Sequence, residues 1–364
     1  MATSDSDNYI IEQFTLKDSH FKELADLITG AFLADEAAQD DGAVLVFTEQ
    51  TFRTIFGLPS VDRRLFVRAR YKPTNEIVGF LGTINKKLLL DGKQYKCGIP
   101  AWLAVSKRHQ RKGLAKRMGL KMLELGQAEG YDAAFSFHES EQHGIDTSQA
   151  VAREAGIPIN RLVLLDKFVI RAFDIGETAK AVKLKWYEKL YFKTKEKVGK
   201  IKSKQVRLYD PKDIDQIFDL TMDLVIKSHL SIVPEYEDMK WMLNQPNVLC
   251  VVHENKDGKI NGYILVWQFI LAGFGNEVPY GWLDTVHAYN LNQKEVKDLA
   301  NFMSQEAIKL GWKGVQTPYI PYFDAKPFIK ANFIFFGKKV GIDLFNWSNI
   351  PIPEKIESIY FILR

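Results

Sequence analysis

The chain has 364 residues, 46% of them hydrophobic and 26% charged, with a net charge of +4; that is apolar material for one very large core or, more economically, two domains of roughly 150–180 residues. Its 24 Gly and 13 Pro fall below the level of a disordered chain, its charge is too small for its length to imply a nucleic-acid partner, and its longest mostly apolar stretch, Tyr263 to Phe274, is far too short for a membrane helix. The polar start lacks the order of a secretion signal, and Cys97 and Cys250 sit far apart in apolar runs like two reduced thiols, so the expectation is a soluble cytoplasmic protein.

After an opening strand, Phe21, Leu24, Leu27, Ile28, Ala31 and Phe32 recur at helical spacing. Leu65 to Tyr71 and Ile77 to Leu90 read as paired strands around the turn Lys72–Asn75, and Asp91–Gly92 turns the chain into a third strand, Gln94 to Val105. A long helix follows from about Gly113 to Glu129, with Leu114, Met118, Met122 and Leu125 on one stripe and Gly130 at its end. Ala133 to Phe137 is a strand, Ile145 to Ala155 a helix, and Leu162 to Phe173 another strand, which predicts a mixed α/β domain over residues 1–175.

Residues 176–204 read as a connector. Positions 180–204 hold ten Lys and two Glu, so the rest of the chain nets −4. Trp186, Tyr187, Leu190, Tyr191 and Phe192 are interleaved with the lysines. Such a segment is either a solvated connector that packs its aromatics on one domain or a docking surface for an anionic membrane or an acidic substrate.

Residues 205–364 repeat the cycle. Val206–Leu208 is a strand and Asp213 to Lys227 a helix; the strands Val248 to His253 and Ile260 to Leu271 are joined by the hairpin Asn255–Gly258. Gly281 to His287 is a strand, Gln293 to Leu310 a helix, Val315 to Tyr319 a strand and Asp324 to Lys330 a short helix, with final strands around Asp343–Trp347 and Ser358–Leu363. The order echoes the first half although the sequences do not repeat, so two tandem copies of one α/β fold, each with a mixed sheet, are expected.

The informative segment is Cys97 to Met118. There a strand runs into a turn, and Gln110–Arg111–Lys112–Gly113–Leu114–Ala115 opens a helix. The first turn of a helix has unpaired N–H groups and partial positive charge, a seat for phosphate. Gly113 and Ala115 remove side chains where a ligand would approach, and Lys107, Arg108, Arg111, Lys112, Lys116 and Arg117 add six positive charges with no acid among them. Neither the nucleotide P-loop nor the dinucleotide fingerprint is present. The pattern Q-x-x-G-x-A after a strand instead resembles the pyrophosphate loop of the GNAT superfamily of acyl-CoA-dependent N-acyltransferases. That resemblance implies that acyl-CoA is the co-substrate, its diphosphate held by Gln110, Arg111, Lys112, Gly113, Leu114 and Ala115. The strand Ala101 to Val105 would carry pantetheine on the backbone of Leu103, Ala104 and Val105. The N–H groups of Trp102 and Leu103 would face the thioester oxygen.

Over the whole chain, Lys189–Leu190–Tyr191, Arg207, Lys212–Asp213–Ile214, His229–Leu230–Ser231, Trp241, Val286–His287 and Phe345–Asn346–Trp347 follow in an order and spacing that resemble the eukaryotic N-myristoyltransferase family. The resemblance implies two tandem GNAT-like domains, an acceptor site contributed by the second, and a terminal carboxylate as base; here that is the α-carboxylate of Arg364, after the apolar Phe361–Leu363. Glu139 and Glu141 are the rival bases, acting through water. His138–Glu139 with His143 has the wrong spacing for a zinc helix, so no metal is expected.

The sequence also departs from the family. Thr147 to Gly156 replaces its basic–aromatic stretch, Lys240 precedes Trp241 where the relative has His, and the second half has no phosphate loop. No Tyr stands between Tyr131 and Tyr187 to protonate a leaving thiol. Direct acyl transfer to an amine-bearing small molecule or peptide is the expected function, without a nucleic-acid partner. The alternatives are an acetyl-CoA-specific N-acetyltransferase and a non-catalytic acyl-CoA-binding module. Nothing in the sequence sets the acyl length, the acceptor or the oligomeric state.

Overall fold

The computed structural model of the chain describes residues 8–35, 40, 42–139 and 144–362. Along the first half run β1 (Tyr9–Phe14), α1 (Phe21–Leu33), β2 (Val44–Val46), α2 (Glu49–Phe56), β3 (Phe66–Tyr71), β4 (Glu76–Leu90), β5 (Lys93–Val105), α3 (Leu114–Ala128), β6 (Ala133–Glu139), α4 (Gly144–Ala155) and β7 (Ile159–Ala172). Two short helices follow, α5 (Ile175–Ala181) and α6 (Trp186–Lys195). The second half contains β8 (Val206–Leu208), α7 (Ile214–Ile226), β9 (Leu230–Val233), α8 (Tyr236–Leu243), β10 (Val248–Glu254), β11 (Ile260–Gly273), β12 (Asn276–His287), α9 (Gln293–Lys309), β13 (Gly314–Pro318), α10 (Ala325–Lys330), β14 (Ile334–Phe345) and β15 (Ile359–Tyr360).

The chain folds into two compact units, and neither is one continuous stretch. One comprises Met1–Asp35, Val46–Leu164 and Lys339–Ile356; the other comprises Glu36–Leu45, Leu165–Lys338 and Glu357–Arg364. In the first unit the strand order is β1-β3-β4-β5-β6-β14, and in the second it is β8-β10-β11-β12-β13-β7. Both run through the same pairings: antiparallel as far as the fourth strand, one short parallel step, then an antiparallel sixth strand. That sixth strand comes from the opposite half of the sequence. Residues 340–345 of β14 pair with β6, and residues 168–172 of β7 pair with β13. The repeat is therefore an α/β repeat with mixed sheets, and the tandem order along the chain differs from the grouping by compactness.

Each sheet buries apolar side chains under its helices. In the first unit Leu114, Met118, Met122 and Leu125 form the buried stripe of α3 and pack with Leu65, Val67 and Val78. In the second, Val296, Leu299, Ala300 and Met303 of α9 pack on Val251, Ile264 and Leu283. Four elements escape the sequence reading: α2, β2, β9 and α8. The first is held by a local cap, the Thr48 hydroxyl accepting from the Thr51 N–H, and by the burial of Phe52 and Phe56. The connector is also more ordered than expected. α5 is capped by Asp174, which accepts from the Glu177 N–H, and α6 leaves Trp186, Tyr187 and Tyr191 exposed.

Candidate functional site

Antiparallel β4 and β5 keep register from Leu90↔Lys93 to Gly82↔Ala101, then resume one step out at Phe80↔Ala104. One residue, Leu81, thus opposes two, Trp102 and Leu103. This is a bulge, and Trp102 takes the left-handed conformation with φ 59°. A non-glycine residue held there costs on the order of 1–3 kcal/mol, so its surroundings must impose it. They are aromatic: the indole of Trp102 lies 4.1 Å from the ring of Phe47, 4.8 Å from Phe56 and 5.7 Å from Phe52, centroid to centroid.

On the other side of β5, the parallel pairing with β6 is confined to Cys97↔Ala133 and Gly98↔Ala134. From Ile99 to Val105 the described residues of β6 offer no further ladder, so the strands part just where the bulge lies. Backbone donors beyond Pro100, which has none, stand at the edge of that opening. The splay expected for Ala101 to Val105 is present as geometry.

The chain then enters a short 3₁₀ turn, Lys107–His109. Its base is pinned from several directions: the Ser106 N–H donates to the Val78 carbonyl, the Tyr9 hydroxyl meets His109 Nδ1 at 2.9 Å, and Gln110 Nε2 donates to the Val105 carbonyl at 3.1 Å. Two left-handed residues follow, Arg111 (φ 62°) and Gly113 (φ 72°), and α3 begins directly after Gly113 with no side-chain cap and no acid in its first turn. A Cβ placed on Gly113 would meet nothing within 4 Å, so the space over this residue is open. The N–H groups of Leu114, Ala115 and Lys116 are those a helix leaves unpaired. Lys116 is tied to Glu154 of α4 at 2.6 Å, an exposed pair. The stretch has the properties of an anion seat: a rigid entry, a glycine where only glycine is unstrained, and a dipole aimed outward.

The remaining expected groups lie elsewhere. Glu139 ends β6, paired in register with Val340. Leu363, Arg364, Glu141 and His143 lie outside the described residues, but the chain is buried as far as Phe361 and Ile362, which β15 leads inward after pairing with β9. Cys97 is buried, and burial pushes its thiol well above the usual range, so it packs and does not attack.

A second polar cluster in the first unit is not legible in the sequence. A cavity of about 250 Å³ is lined by His138 of β6, Ser148 and Gln149 of α4, Arg161 of β7 and Asp343 of β14. Arg161 and Asp343 form an ion pair, and the guanidinium lies so close over Gly341 that a Cβ there would fall within 3 Å of it. The Ser136 hydroxyl and His138 Nε2 are 2.7 Å apart, and burial holds the imidazole below its ordinary pKa. No local motif could have joined Arg161 to a residue 182 positions away.

The second unit repeats the device without its opening. β11 and β12 shift register between Leu265↔Thr285 and Val266↔Leu283, which bulges Asp284, and the parallel step to β13 is again two residues, Gly281↔Val315 and Trp282↔Gln316. Here the Val286 N–H is taken by the Tyr322 hydroxyl at 3.1 Å, and the buried Asp284 accepts from the Trp267 indole and the Thr285 hydroxyl. Side chains fill the place that stays open in the first unit.

No protein-family profile matches the chain, and no curated protein sequence does. Solved structures do. Saccharomyces cerevisiae N-myristoyltransferase with bound myristoyl-CoA superposes with a TM-score of 0.73 at 15% identity, over 93% of this chain and 79% of that one. Another structure of the same enzyme gives 0.72 at 16%, over 93% and 83%. A conserved Enterococcus faecalis V583 protein of unknown function, described as a probable N-acyltransferase, gives 0.51 at 10%, over 91% and 71%. At these identities the likeness is one of fold, and the fold of this chain resembles that of N-myristoyltransferase.

Proposed function

We propose that the protein transfers an acyl group from acyl-CoA to an amine, and that the site is the parting of β5 and β6 together with the loop before α3. The observation that carries this reading is the coincidence, within twelve residues, of a strand bulge at Trp102, an unpaired strand edge, and an uncapped helix start entered through left-handed Arg111 and Gly113. The diphosphate sits on the amides following Gly113, flanked by Gln110, Arg111, Lys112, Leu114 and Ala115, with pantetheine along Leu103, Ala104 and Val105.

The amine nitrogen attacks the thioester carbonyl carbon. The carbonyl oxygen gains negative charge and is met by the N–H groups of Trp102 and Leu103, donors that can lower such a barrier by several kcal/mol. The carbon–sulfur bond then breaks, the acyl–nitrogen bond remains, and CoA leaves as the thiol, its sulfur taking up the proton that the acylated nitrogen gives up. The acceptor ammonium loses its proton to the α-carboxylate of Arg364, with Glu139 as the competing base.

A fatty-acyl donor is the favoured one, because two of the solved structures that share the fold, at TM-scores of 0.73 and 0.72, hold myristoyl-CoA. Thiol release measured over a panel of acyl-CoAs, from acetyl to myristoyl, against peptide and small-amine acceptors tests the proposal. Release with long chains supports it, release with acetyl-CoA alone assigns the protein as an acetyltransferase, and CoA binding without release from any donor reduces it to a binding module.

A further inference from the structure

Helix α6 presents a face that its own unit does not cover. Trp186 is 77% exposed and Leu190 61%, with Tyr187 and Tyr191 half exposed. At helical spacing these four positions span a stripe of roughly 140°. Glu188 and Phe192 lie on the opposite side and are partly buried. Lys189 and Lys193 border one edge of the stripe and Lys195 the other, and the ammonium groups of Lys185 and Lys195 each lie 5.8 Å from a tyrosine ring, Tyr187 and Tyr191. Further lysines flank the helix at Lys183, Lys197, Lys200, Lys202 and Lys204, in a segment of net +8 within a chain otherwise net −4.

Another exposed aromatic stands by the end of α5, the helix that precedes α6. The tip of the β11–β12 hairpin carries Phe274, left-handed at φ 51° and 51% exposed. The tip is tied to the end of α5 by Asn276 Nδ2, which donates to the Lys180 carbonyl.

We propose that α6, with its flanking lysines, seats the protein on an anionic lipid bilayer. The aromatic and leucine side chains enter the headgroup layer while the lysine stems lie along it and hold their charge at the phosphates. Charge alone would suit any polyanion. Trp186 and Leu190 projecting between the lysines suit only a partner with an apolar interior under its charge. The proposal does not depend on the acyl-transfer reading.

The test is sedimentation of the full chain with phosphatidylcholine vesicles and with vesicles also containing phosphatidylserine. The protein is expected to sediment with the second kind only, less so in high salt, and with an emission blue shift that disappears in Trp186→Phe. Trp186→Ala combined with Leu190→Ala should abolish sedimentation without moving the melting temperature, since both are exposed. Lys189→Gln and Lys197→Gln should each weaken it about five-fold. Sedimentation indifferent to the Trp186→Ala, Leu190→Ala pair, no sedimentation at all, or equally tight binding to RNA or poly-glutamate by wild type and that pair would overturn the proposal.

Discussion

The indole of Trp102 rests against the ring of Phe47, centroids 4.1 Å apart and planes 40° from parallel, and this contact helps hold a bulky residue in a backbone region that favours glycine. Trp102 therefore contributes packing while incurring strain. Trp102→Ala should lose the packing and keep the strain, at a cost of about 3 kcal/mol. Trp102→Gly loses the same packing and relieves the strain, so it should be more stable than the alanine variant by about 1 kcal/mol, reversing the usual order of the two residues in a strand. Chemical denaturation of the three proteins checks this, and a glycine variant less stable than the alanine variant contradicts it. If the amides of Trp102 and Leu103 are the proposed donors, acyl transfer should fall in both.

Gly113 isolates the backbone contribution at the phosphate seat. A Cβ there touches no atom of the chain, so Gly113→Ala should cost only the left-handed conformation, about 1 kcal/mol of stability. That same Cβ would stand in the open space over the helix start. Coenzyme A affinity measured by calorimetry should drop by about ten-fold or more, and further for Gly113→Glu, where a carboxylate faces the diphosphate. Unchanged affinity in both variants would place the nucleotide elsewhere.

How much of this was legible before the structure depends on the range of the interactions. The stripe Leu114, Met118, Met122 and Leu125, the hairpin Asp91–Gly92 and the loop Gln110–Ala115 are local patterns, and the elements they predict are present. The bulge is not local: nothing in the residues Ala101–Trp102–Leu103 announces that Leu81 will face two of them. Nor could any pattern tell that residues 340–345 pair with β6 while residues 168–172 pair with β13, since each half supplies the other's last strand. Helix α2 was missed because Glu49–Phe56 mixes charged and β-prone residues, and its stability comes from a cap and from tertiary burial of Phe52 and Phe56.

Acid should act on the second unit through His287. Its ring is fully buried, stacked against Tyr263 with planes 6° apart, and burial lowers its pKa to about 4. The unfolded chain takes up this proton near pH 6.5 while the folded chain resists, so the neutral imidazole favours folding above that pH. As the pH falls from about 6.5 towards 4 the folded state loses stability relative to the unfolded one, by about 3 kcal/mol once both have bound the proton. His287→Gln, which cannot titrate there, should flatten the slope of unfolding free energy against pH over that interval. An unaltered slope would mean that other groups set the acid limit.

The chain end separates catalysis from binding. Phe361 and Ile362 are buried and β15 pairs with β9 just before them, so the described chain is still buried at its last described residue. Any loss of solvation at the α-carboxylate of Arg364 would raise its affinity for the proton of an approaching ammonium. Adding a short glycine–serine extension after Arg364 converts that carboxylate into an amide and moves the new terminus several residues along the chain. If Arg364 supplies the base, turnover should fall by on the order of a hundred-fold or more while coenzyme A affinity is unchanged, and the loss should be smaller at alkaline pH, where the acceptor is already neutral. If Glu139 is the base, the extension should leave turnover nearly intact and Glu139→Gln should produce the loss. Equal loss of coenzyme A affinity and turnover on extension would instead show that the tail supports the fold, with no part in proton transfer.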